Sequence, residues 1–103
     1  AGAFGATKEG VAIARMLSAP GGAGSNDCII TIESDNAEGF PSASTRATFT
    51  TLDQTSSPTD TPEVKTIAGA VTDDWWRSVV TISGAGSRTF DLLIVFGIRF
   101  VAG

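Results

Sequence analysis

Histidine and tyrosine are absent from this 103-residue chain, which has a single cysteine, Cys28, and a single methionine. Without histidine the usual general base and the commonest metal ligand are missing together. One cysteine excludes an intrachain disulfide and a cysteine-rich metal cage. With no histidine to activate its thiol, Cys28 reads as a small buried hydrophobe at the start of a strand. The longest apolar run, Leu92 to Ile98, is far short of the roughly 20 residues of a membrane-spanning helix. Charge is sparse at 17%, and eleven acidic residues against seven basic ones leave a net charge of −4. That balance repels phosphate backbones, so nucleic acid is not expected as a partner, and the short apolar run leaves no membrane expected either. A start at Ala1, with no secretory signal in view, is what a trimmed or partial product is expected to show.

What is present points to β-structure. The hydrophobic fraction of 42% belongs to a globular chain, and the length suits one domain. Twelve glycines, four prolines and many Thr and Ser residues mark frequent turns. Val11, Ile13, Arg15 and Leu17 alternate with Ala12, Ala14 and Met16, the pattern of a strand, and a turn cluster follows from Ala19 to Asp27. In Cys28–Ser34, Cys28, Ile30 and Ile32 share one face, with Ile29, Thr31 and Glu33 on the other. A polar loop follows from Asp35 to Pro41, with Phe40 expected to tuck back onto the core. Arg46–Leu52 is a strand with Ala47 and Phe49 as an inward pair. Residues 53–62 form a loop barred from regular structure by Pro58 and Pro62, and Glu63–Ala68 is a short strand near an edge.

The last third carries the most apolar side chain. Two runs, starting at Trp75 and ending at Val101, are joined by Ser83–Arg88 and read as a hairpin. Phe90, Leu92, Ile94, Phe96, Ile98 and Phe100 recur at spacing two and should line the interior. The opposite face has Leu93 and Val95 at its centre, flanked by Asp91 and Arg99, and is too apolar to be left open to water. The whole reads as an all-β antiparallel sandwich, immunoglobulin-like or jelly-roll-like, of about six to eight strands. Residues 1–10 form a glycine-rich arm and 11–103 the domain.

Few stretches suggest chemistry. Glu33, Asp35 and Glu38 are a weak candidate cation loop, because hard cations take clustered carboxylates. Ala37 stands where another oxygen ligand is needed, so a solvated turn is the simpler reading. Glu33 and Asp35 share a strand face as a glycosidase pair would, without a sign of a cleft. Gly84-Ala85-Gly86 lacks a third glycine and a following helix, so it is a turn rather than a phosphate loop. No constellation for catalysis survives, and neither an enzyme nor a cofactor is expected. Interface candidates are Trp75, Trp76, Arg77, Leu93, Val95, Arg99 and Phe4. Adjacent strand residues face opposite ways, so one indole of the Trp pair should be buried and the other exposed.

The order of these pieces resembles a family of small β-sandwich domains in tailed-bacteriophage virion proteins. The resemblance is carried by TIESDNAEGF, Thr31 to Phe40, and by the ending from Val71 to Arg99 with its TISGAGSRTF turn. Two tryptophans stand where the family has tyrosine, and the acidic turn is shorter. The resemblance implies a structural protein of the virion, made in the host cytoplasm. It would occur as a tail-tube C-terminal domain or as a decoration or cement protein of head or tail. Its implied partners are the major capsid or tail protein, as a homo-oligomer or lattice-bound copy. The alternative from a different class is a carbohydrate- or receptor-binding module that uses an exposed tryptophan.

Overall fold

A computed structural model describes residues 8–58, 62–67 and 73–100. Among them six strands form two three-stranded antiparallel sheets, and there is no helix. The strands are β1 (Lys8–Gly21), β2 (Gly24–Asp35), β3 (Ser44–Thr48), β4 (Glu63–Ile67), β5 (Trp75–Gly86) and β6 (Thr89–Phe100). One sheet has the order β4-β1-β6 and the other β3-β2-β5. Their inner faces share a core of Ala12, Ala14, Cys28, Ile30, Ile32, Phe49 and Ile67, so the fold is an antiparallel β-sandwich, as expected.

The two sheets are halves of one folded ribbon. β1 pairs with β6 from Lys8↔Phe100 to Gly21↔Thr89, and β2 pairs with β5 from Gly24↔Gly86 to Asp35↔Trp75. Register shifts after Met16 and after Ser18 place extra residues on β1, which bends it toward the corner. The ribbon then doubles over at residues 22–23 and 87–88. There the Ser87 N–H donates to the Ala23 carbonyl at 2.8 Å.

Glycine makes that corner possible. Gly22, Gly24, Gly84 and Gly86 have φ of 94°, 89°, 98° and 138°, where an L side chain is strained. A Cβ on Gly22 would also lie 2.1 Å from the Ser87 carbonyl oxygen, and one on Gly24 2.5 Å from the Gly86 Cα. The buried Asn26 staples the two chains. Its amide donates to the Ser83 carbonyl at 3.2 Å and its oxygen accepts the Arg88 N–H at 3.0 Å.

Several expectations change as a result. β5 and β6 do not form a hairpin: they lie in different sheets, each paired with a strand from the other end of the chain. The turn cluster from Ala19 to Asp27 is mostly strand, broken by a two-residue corner. Lys8–Gly10, expected in the arm, belong to β1; residues 1–7, Phe4 included, lie outside the described residues. β3 ends at Thr48, short of the expected Leu52. Of the six large β6 residues, Phe90, Leu92, Ile94 and Phe96 pack on the core, whereas Ile98 is 38% exposed. The side chain of Phe100 lies outside the description.

The two long sides of the sandwich differ. On one, Phe49 plugs the core as its N–H donates to the Ile30 carbonyl, and Leu52 exchanges two hydrogen bonds with Cys28. Glu63 of β4 accepts the Thr50 N–H at 3.0 Å and closes that side. On the other side, β5 and β6 are both sheet edges. Val80 and Ile82, at register positions opposite Ile30 and Cys28, remain 43% and 51% exposed.

If the corner is the constraint, Gly22→Ala should destabilise the protein by at least about 1–2 kcal/mol from backbone strain alone. Gly39→Ala, where an added Cβ meets nothing within 4 Å, should change stability by less than about 1 kcal/mol. Urea denaturation of both variants checks the contrast.

Candidate interaction surfaces

Cys28 is fully buried in the core, and burial pushes its thiol pKa up, away from the reactive thiolate. Two of the three acidic residues of the candidate cation loop, Glu33 and Asp35, have other partners. The Glu33 carboxylate accepts the Arg77 Nε–H at 2.9 Å, with Nη2 of the same guanidinium at 2.8 Å. Asp35 is buried and its two oxygens accept the backbone N–H groups of Ala37 (3.3 Å) and Ser42 (2.7 Å), which shapes the loop after β2. Glu38 is exposed. Among the described residues no group of three or more acidic, Cys or His side chains is placed to hold a metal ion.

Phe40 does not join the core. It is half-buried at a φ of 53°, and the Arg77 guanidinium sits 4.3 Å above its ring centroid. The cation–π contact and the Glu33 ion pair together hold Arg77 over the sheet's outer face, a combination of partially exposed contacts worth about 1 kcal/mol each at most.

The tryptophans divide as alternation requires. Trp76 is half-buried and stacks on Phe96 of the facing sheet, with centroids 5.0 Å apart and planes 20° from parallel. Its Nε1–H donates to the Asp73 carbonyl at 3.0 Å. Trp75 is 43% exposed. The Asp73 side chain meanwhile accepts the Ser34 hydroxyl at 2.7 Å and Nη2 of Arg46 at 2.9 Å, and Arg46 Nε donates to the Ser34 Oγ at 2.8 Å. This cluster anchors the entry to β5 to β2 and β3, so that Trp76 meets Phe96. Three residues distant in sequence build it, and no local pattern announces it.

The most extensive feature is the outer face of the β4-β1-β6 sheet. β1 turns its small residues Ala12 and Ala14, with Met16, into the core. Its large residues Val11, Ile13 and Leu17 therefore face outward, Leu17 at 52% exposure. Register places Val64, Ile13 and Val95 in one row across the three strands, with Val11 beside Gly97 and Arg15 beside Leu93 in the flanking rows. Val64, Leu93 and Val95 are each about half exposed. Val11, Ile13, Val95, Gly97 and Ile98 line an open depression of about 280 Å³. The clefts between the sheets hold only about 150–160 Å³, less than a typical small-molecule pocket of roughly 300 Å³ or more. The backbone of Arg99 continues β6 opposite Glu9. Leu93 and Val95, singled out from the sequence, thus lie on this face. Val11, Ile13 and Val64 were missed, although alanines alternating with large aliphatics in residues 11–14 were the available signal.

Compared with known proteins, the chain matches no family model, no curated protein and no solved structure.

The Ser34 hydroxyl and then Arg46 hold the Asp73 carboxyl below its usual pKa, against a smaller desolvation effect. A depressed native pKa contributes stability that is present above the unfolded value of about 3.9 and disappears as pH falls through the native value. The wild type should therefore lose stability more steeply than Asp73→Asn below about pH 4. Thermal melts of the two proteins across pH 2–6 test the difference in slope.

Proposed function

We propose that this protein is a non-enzymatic structural component that seats the outer face of its β4-β1-β6 sheet on a repeating protein surface, the capsid or tail of a bacteriophage virion. The inverted strand β1 carries the reading. A strand that buries alanine and turns half-buried valine and isoleucine and an exposed leucine outward stabilises the monomer less than the reverse arrangement would, and suits a face that is covered in an assembly. Its neighbours Val64 and Val95, in one row with Ile13, and Leu93, beside Arg15, widen the apolar area. The choice of a virion as the assembly rests on the resemblance carried by Thr31–Phe40 and Val71–Arg99. On this reading the protein works by buried area and repetition, so each copy needs only modest affinity.

Electron microscopy of intact particles should show density for this chain repeating on the shell or along the tail. Val64→Lys, at a half-exposed position on the patch, should leave the fold intact and lower occupancy at least about tenfold. Particles lacking the chain, or full occupancy by the lysine variant, would contradict the proposal.

The exposed indole of Trp75 favours a second reading, a carbohydrate- or receptor-binding module, since a surface indole can stack on a sugar ring. A glycan panel that shifts the tryptophan fluorescence of wild type but not of Trp75→Ala would support it. An unchanged spectrum would dispose of it.

A further inference from the structure

We propose that β6 is a self-complementary edge, along which two copies of this chain pair antiparallel about a two-fold axis at Val95. The sheet would then run continuously as β4-β1-β6 of one copy followed by β6-β1-β4 of the second. This inference does not depend on the virion reading.

The edges of the molecule are unequally protected. The edge strands β3 and β4 are five residues long, and they carry Arg46 and the Glu63–Lys65 ion pair. Short, charged edges discourage pairing with another chain. β6 is twelve residues long, contains neither lysine nor proline, and has no register shift on its own side of the β1 ladder beyond the bulged residues of β1. Its outward edge is a regular row of backbone donors and acceptors, the template for an added strand.

The order of residues along β6 identifies that added strand as β6 itself. A two-fold axis at Val95 sets residue 91 against 99, 93 against 97 and 95 against itself. In backbone register this sets position 91, an aspartate, against position 99 of the second copy, an arginine, and the symmetry repeats the pair at the other end. Opposite charges directly across a strand pair attract, and a shifted register would lose both. Leu93 falls opposite Gly97 of the second copy. Gly97 leaves the depression among Val11, Ile13, Val95 and Ile98 open, and a Cβ added there meets nothing within 4 Å, so the facing leucine has space to fill. On the inner face Ile94 falls opposite Phe96, covering residues that one copy leaves half-buried at the open side of the sandwich. The same register thus satisfies charge, shape and burial together.

Sedimentation equilibrium of the purified chain reads the association directly. Wild type should show a concentration-dependent doubling of mass. Val95→Lys changes a side chain already 47% exposed and sets two ammonium groups against each other on the axis; it should fold and weaken the dimer about tenfold or more. Asp91→Arg and Arg99→Asp should each be monomeric alone, because each places like charges at both ends of the pairing. Mixed in equal amounts they should form a heterodimer, because every facing pair is then opposite in sign. Asp91 also accepts the Ser18 hydroxyl, so circular dichroism should accompany each variant. Should Asp91→Arg fail to fold, Val95→Lys decides. A wild type that stays monomeric to about millimolar concentration, a Val95→Lys dimer as tight as wild type, or folded charge variants that do not associate when mixed would each overturn the proposal.

Discussion

The close approach of two glycine-rich backbones at the corner is the constraint on which the rest of the structure depends. Around Gly22–Gly24 and Gly84–Gly86 the chains come nearer than any side chain allows, so a single long ribbon can fold flat onto itself. Both sheets, their antiparallel sense and the positions of β1 beside β6 and β2 beside β5 follow from that one doubling. β3 and β4 then have one side left to occupy. They close it with Phe49, Leu52 and the Glu63 contact to Thr50, at the expense of leaving the β5 and β6 edges uncovered.

That asymmetry links the fold to the proposed assembly. The closed side is protected by short charged strands. The open side presents two strands of twelve residues, with half-buried core residues at its mouth. β1 adds an apolar outer face because its alanines take the inward positions. The far end is pinned by polar contacts: Ser34, Arg46 and Asp73 hold the start of β5, and Trp76 stacks across to Phe96. The described residues thus form a sandwich with two long unpaired edges, β5 and β6, and large aliphatic residues on the outer side of β1.

Alternation along the chain revealed the strands but not their partners. Cys28, Ile30 and Ile32 are legible as one face because period two is a local property, and the same logic separates Trp75 from Trp76. The hairpin expected for β5 and β6 was wrong for a physical reason. Gly84-Ala85-Gly86 signals a sharp change of direction, but whether the strands return beside each other or cross to another sheet depends on Gly22–Gly24, about 60 residues away. Alternation likewise shows that Val11 and Ala12 point apart without saying which is inside. Phe40 looked like a core residue by its hydrophobicity, and the Arg77 guanidinium above its ring supplied a competing site at the surface. The Ser34–Arg46–Asp73 cluster joins three separate segments, so the charge of Asp73 suggests an ion pair but nothing local names Arg46 and Ser34 as its partners.

In the proposed pairing, the uncovered β6 edge left by the folded ribbon is the assembly surface. Amide hydrogen exchange, followed residue by residue as protein concentration is raised, tests it most directly. The outward-facing amides between Asp91 and Arg99 should become protected with concentration, while those of β3 and β4 keep their rates. Rates in β6 that do not change with concentration, or protection that rises evenly over all the edges, would contradict it.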